Sequence, residues 1–90
     1  MKVEGKCHCG QITYEAIVDP EKVTVCHCTD CQMLSGSAYR ASAIDAPTTY
    51  SLRVGCLQQR ALLPPGKQIW CRSALDWAMN LQDVTRLSRQ

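Results

Sequence analysis

Apolar and polar residues alternate along positions 11–18, with Ile12, Tyr14, Ala16 and Val18 on one side and Thr13 and Glu15 on the other. A period of two is the signature of a half-buried β-strand. Asp19-Pro20-Glu21 closes that run as a turn, and Val23-Thr24-Val25 reads as a short second strand delivering Cys26 at its end. The two runs together read as a hairpin. Residues 37–44 predict a third strand with Tyr39 as its main anchor, broken by Asp45-Ala46-Pro47. Alternation resumes over residues 48–54, where Tyr50, Leu52 and Val54 oppose Thr49, Ser51 and Arg53. Leu63-Pro64-Pro65-Gly66 lacks the donors a sheet interior needs and is expected to run extended over the surface. Residues 67–71 then bring Trp70 and Cys71 toward the core. The period changes once, near the C-terminus. Ala74, Trp77, Ala78 and Leu81 stand at i, i+3, i+4 and i+7, which predicts a short amphipathic helix capped by Ser73 with Asp76. The pattern as a whole predicts a mainly β, antiparallel domain spanning residues 1–90, with that short C-terminal helix.

Composition narrows the picture. Ninety residues carry 46% hydrophobic side chains but no phenylalanine, so the core is thin, and a chain of this size needs a staple such as a metal or disulfides. Trp70 and Trp77, the largest side chains present, are read as core residues rather than as a binding platform. The net charge of +2 comes from interspersed acids and bases. With no basic run or aromatic-interleaved patch, nucleic acid is not an expected partner. No apolar run has membrane-spanning length, and residues 1–6 reach Cys7 without the apolar core of a signal peptide. A reducing, cytoplasmic compartment is therefore expected, where seven cysteines hold metal rather than disulfides.

The cysteines are not scattered. Cys26-His27-Cys28-Thr29-Asp30-Cys31 places three thiols within six residues. Thiolates suit zinc, which binds sulfur at about 2.3 Å in a tetrahedron, and three protein ligands leave the fourth corner for water or substrate. His27, between two ligands, is expected to point away from the ion. Thr29 with Gln32 reads as a capping box and Gly36 as a C-cap, so a helix start is expected to favour the thiolate at Cys28 and Cys31. The rival reading, a redox Cys-x-x-Cys of Cys28 and Cys31, leaves Cys26 without a role. Cys7-His8-Cys9-Gly10 is an earlier Cys-x-Cys pair, half of a tetrahedron, with reduced metal-free thiols as its alternative.

Gly5-Lys6-Cys7-His8-Cys9-Gly10, Ile12-x-Tyr14, the 26–31 triad and Ser35-Gly36-Ser37-Ala38 together resemble the glutathione-dependent formaldehyde-activating enzyme family, whose superfamily includes centromere protein V. Tyr50 to Gly55 and Gln68 to Leu75 look like the C-terminal part of bacterial members. The resemblance implies an all-β tent of small antiparallel sheets built around zinc. It implies a catalytic zinc on Cys26, Cys28 and Cys31, and half of a structural zinc site in Cys7 and Cys9. The implied activity is that of a carbon–sulfur lyase joining glutathione's thiol to formaldehyde, as in S-(hydroxymethyl)glutathione synthase. The departure is equally clear. The family's later Cys-Pro-x-Cys-Gly pair does not occur, and the chain passes directly from the 37–44 run to the 50–55 run, as an internally shortened member would. Cys7 and Cys9 then lack two partners. Cys56 and Cys71 are the only spare thiols, and a second copy of the chain, covering strand edges near Pro47, is the expected compensation. Two functions follow: a zinc enzyme acting on a small thiol such as glutathione, or a non-catalytic zinc-binding or assembly module that has lost its substrate pocket. A third, a thiol redox or metal-buffering protein, would take several ions without a defined fold.

Overall fold

The computed structural model describes residues 1–45 and 49–90. It contains six strands, β1 (Lys2–Lys6), β2 (Thr13–Ile17), β3 (Thr24–Cys26), β4 (Arg40–Ile44), β5 (Ser51–Arg53) and β6 (Lys67–Ile69), and one helix, α1 (Thr29–Ser35). The mainly β class expected from alternation is what forms. The break at residues 46 and 47, and the strand edges expected near Pro47, lie outside the described residues.

β1 and β2 pair antiparallel as a two-stranded sheet, Lys2 facing Ile17 and Lys6 facing Thr13. The other four strands form a mixed sheet in the order β5-β4-β3-β6, with β6 parallel to β3 and the other pairs antiparallel. This corrects the expected hairpin. β2 and β3 belong to different sheets, and the real hairpin is β1–β2, whose turn carries Cys7 and Cys9. Alternation in a strand shows that one face is buried, but not which neighbour it pairs with. The bridges Gly5–Leu57 and Val18–Asp45 tie the sheets together, and the Ile17 N–H donates to Asp45 Oδ1 at 3.1 Å.

Val3, Val18, Val23, Ala43, Leu57 and Leu63 make the core, with Tyr14, Ala16, Leu52 and Val54 packed against it. Gly5 is required where the β1–β2 sheet meets it. Tyr14, its cross-strand partner, lies over Gly5 so closely that an added Cβ would fall inside the van der Waals radius of the ring. Leu63 anchors the Pro64-Pro65 segment, which otherwise runs exposed as expected.

Three expectations for the C-terminal third are corrected. Residues 74–90 contain no regular helix; i→i+3 turns such as Ala78 N–H to Leu75 C=O and Asn80 N–H to Trp77 C=O take its place. Of that apolar stripe only Ala78 is buried. A helix this short holds only if its apolar face packs against something, and here it does not. Trp70 and Trp77 are not core, at 52% and 59% exposure, and Cys71 is exposed too. Arg72 instead sits over the Trp70 ring, 5.1 Å from its centroid. The one α-helix among the described residues is α1. Among the described residues no helix is long and apolar enough to cross a membrane.

Candidate metal centre

β3 ends on Cys26, a two-residue bend follows, and α1 begins, so the triad spans the junction of strand and helix. The sulfurs of Cys26, Cys28 and Cys31 all lie within 4.8 Å of one another. Tetrahedral zinc with Zn–S bonds of about 2.3 Å needs sulfurs about 3.8 Å apart, so side-chain shifts of about 1 Å would close the set. Three soft donors converging this tightly fit a thiophilic metal. Cys26 and Cys28 are half-buried and Cys31 is buried.

The cap differs from the expected Thr29–Gln32 box by one residue. Cys28 is the N-cap, its sulfur accepting from the Cys31 N–H at 3.2 Å, while Thr29 is the first helical residue. Gly36 ends the helix in the left-handed conformation at φ 62°, as the sequence indicates. Gln32, released from capping, donates through Nε2 to the carbonyls of His27 at 2.9 Å and Ser73 at 3.1 Å. That ties the bend between the first two ligands to the chain just after β6.

His27 is fully buried and turns away from the sulfurs, as its place between two ligands suggests. Its Nε2 meets Gln68 Oε1 at 2.8 Å and its ring stands edge-on to Tyr39, centroids 5.7 Å apart. Gln68 Oε1 can only accept, so Nε2 donates to it, and the buried Nδ1 has no partner among the described residues. Tyr39 precedes β4 and packs on His27; Ala41 and Ala43 supply the strand's inward contacts.

The thiols of the triad are not equivalent. Hydrogen bonds from Cys31, side chain first and then backbone N–H, hold the Cys28 thiol below the usual range. Burial, reinforced by hydrogen bonds with Cys28 and Cys26, pushes Cys31 up to about 12, and the positive charge of Arg40 offsets part of that rise. The helix start therefore does not favour thiolate at both positions. At Cys31 desolvation outweighs it.

Cys7 and Cys9 sit on the exposed β1–β2 turn, the Cys9 thiol donating to the Cys7 sulfur at 3.4 Å. Cys9's backbone N–H, then its thiol, lowers the Cys7 pKa. Among the described residues no third Cys, His, Asp or Glu donor converges on this pair, and the exposed Cys56 and Cys71 join no such group.

Two concavities flank these sites. A cavity of about 900 Å³ lies against β1 and β2, lined by Lys6, Tyr14, Cys56 and Arg60 among others, and includes none of the triad. A smaller one, about 220 Å³, reaches the triad through Cys26 and is lined also by Arg40, Ser42, Ser51 and Lys67. Sequence reasoning singled out neither Arg40 nor Lys67, and gave Gln32 only a capping role. The alternation of Arg40, Ser42 and Ile44 against Ala41 and Ala43 was the available signal for the first.

With this geometry in place, comparison with known families gives one match: residues 2–46, half of the chain, match glutathione-dependent formaldehyde-activating enzyme. The chain belongs to that family. The match includes both cysteine clusters and ends at residue 46. No curated protein matches the chain.

Proposed function

We propose that Cys26, Cys28 and Cys31 hold a zinc ion and that the protein binds a small thiol beside it, presenting that thiol to formaldehyde. The convergence of the three sulfurs within 4.8 Å is the observation that carries this reading. When bound, zinc supplies a Lewis acid that favours the thiolate form of a thiol bound to it. The chain's own residues do the rest. Cys26, Cys28 and Cys31 are the donors, and Gln32 and the buried His27 fix the backbone between the first two. The addition is redox-neutral: the thiol sulfur bonds to the carbonyl carbon, the C=O π pair moves to oxygen, and the proton given up by sulfur ends on that oxygen. The cavity beside Cys26 is lined by no carboxylate or imidazole among the described residues, so the proton passes through solvent.

The natural comparison is with a full-length relative. We take this chain to be an internally shortened member in one domain, without the second cysteine pair, and therefore weaker in catalysis than a complete one. The small volume of the cavity beside Cys26 favours the alternative, a non-catalytic zinc-binding module. Titrating glutathione into the zinc-loaded protein separates the two, because only the first reading requires binding. Formation of S-(hydroxymethyl)glutathione, followed with and without Cys28→Ser, then tests the chemistry. A rate matching the uncatalysed reaction in both, with no glutathione bound, leaves the module.

A further inference from the structure

Strand register puts a set of side chains on one face of the four-stranded sheet that no stretch of sequence displays together. Cys26 pairs with Arg40, Thr24 with both Ser42 and Lys67, and Ile44 with Ser51. Paired residues share a face, and alternate residues of each strand share it too. Val25 and Ala43, on the opposite face, are buried. The outward face therefore carries Cys26 beside Arg40, with Lys67 two residues back along the neighbouring strand. The cavity of about 220 Å³ is built on this face.

Its chemistry is one-sided. Two cations and three hydroxyls line it together with Cys26, Ile44 and Ile69, and no acidic side chain does so among the described residues. The ion pair between described residues is Lys2 with Glu15, at the other sheet, so neither Arg40 nor Lys67 is neutralised by a described carboxylate. Arg40 faces Cys26 across the β3–β4 pair and lines the same cavity, which places it beside the sulfur cluster. Arginine offers a planar fork of donors matched to a carboxylate, and lysine a second point charge. The volume falls below the roughly 300–1,000 Å³ of a drug-sized ligand site.

From this we infer that the outer face of the β5-β4-β3-β6 sheet is an anion subsite, in which Arg40 and Lys67 hold the carboxylate end of a small thiol acid whose sulfur lies at Cys26. That the ligand is a thiol rests on the proposed function; that it is an anion rests on the groove alone. Only the carboxylate-bearing end of a larger thiol such as a tripeptide would fit, with the remainder in solvent. Arg40 and Lys67 are thereby specificity residues, selecting among thiols by charge.

The test uses the cobalt-substituted protein, whose visible spectrum reports sulfur binding, with thiols of similar size and different charge. 3-Mercaptopropionate and mercaptosuccinate are expected to bind about tenfold or more tightly than 2-mercaptoethanol, a factor equal to about 1.4 kcal/mol, and cysteamine more weakly. Arg40→Gln and Lys67→Gln should each shrink the anionic-to-neutral ratio several-fold and leave 2-mercaptoethanol unchanged. The ratio should also fall as salt is raised. In parallel, succinate, which has no thiol, should shift the amide resonances of Thr24, Ser42 and Ser51 in the zinc-loaded protein, and less so in either variant. Thiols that bind without regard to charge, with no response to succinate, overturn the subsite and leave the proposed function standing. Succinate binding with no thiol perturbing the cobalt spectrum does the reverse.

Discussion

Replacing Cys28 by serine separates its two jobs, donating to a metal and capping α1. Serine is a favoured N-cap residue. Its hydroxyl can accept the Cys31 N–H that the sulfur accepts at 3.2 Å, so the helix start survives. Cys28 is half-buried, so exchanging sulfur for oxygen opens little cavity. What is lost is one of three thiolates. Zinc bound to a structural cysteine set contributes about 10–16 kcal/mol of apparent free energy, and a third of that is about 3–5 kcal/mol. Ninety residues at roughly 0.05–0.15 kcal/mol each give a whole-domain stability of roughly 5–13 kcal/mol. Cys28→Ser should therefore remove a large share of the stability measured by urea denaturation in saturating zinc, followed by far-ultraviolet circular dichroism. Cys28→Ala should lose about 0.5–2 kcal/mol more, the worth of the cap. After chelation the wild type should lose most of its ordered signal and converge on Cys28→Ser. The reasoning fails if wild type and Cys28→Ser match in zinc, or if verified metal removal leaves the wild-type spectrum unchanged.

Cys7→Ser with Cys9→Ser should cost less stability than Cys28→Ser or Cys31→Ser, because the pair is exposed and gathers no third donor among the described residues; denaturation midpoints in zinc that reverse this order would count against it. Gel filtration of the zinc-loaded wild type and of that double variant checks whether a second copy completes the pair, in which case the wild type alone associates. Gly5→Ala should destabilise by about 1–3 kcal/mol through overpacking against Tyr14, and most of that cost should vanish on the background of Tyr14→Ala. Alkylation of Cys7 by iodoacetamide should rise with pH at a midpoint below that of free cysteine measured alongside, since Cys9 stabilises its thiolate; a midpoint at or above that of free cysteine would contradict the hydrogen-bonding arrangement. Trp77→Ala should change stability by less than about 0.5 kcal/mol, as suits an exposed side chain.

The thiol cluster was legible in sequence because its geometry is local. Cys26, Cys28 and Cys31 lie within six residues, and a strand end followed by a helix start can hardly scatter them. The β2 strand and the αL stop at Gly36 were legible for the same reason, each being set by neighbours in the chain. The C-terminal helix failed because periodicity records which residues could share a buried face, not whether anything exists to bury it. Ala74, Trp77, Ala78 and Leu81 have the spacing, yet Ala78 alone is buried. The tryptophans failed likewise: size favours the core only where the core has room, and here valines and leucines fill it.

The anion subsite was invisible for a different reason, and the difference bears on how the site works. Cys26, Arg40 and Lys67 are separated by fourteen and twenty-seven residues, and their common face depends on β3 being the strand that both β4 and β6 pair with. A one-residue slip of β4 would turn Arg40 and Ser42 inward and push Ala43 out into solvent. Burial of Ala43 and Val25 on the core side therefore fixes the register that aims Arg40 at the sulfur cluster. Parallel pairing of β6 does the same for Lys67, held by Gln68 bonding the buried His27 from the opposite face. His27 thus links the two halves of the site without touching the metal ligands' sulfurs. It secures the bend between Cys26 and Cys28 and the strand that carries Lys67, so the thiophilic and the anion-binding parts are aligned by one buried side chain.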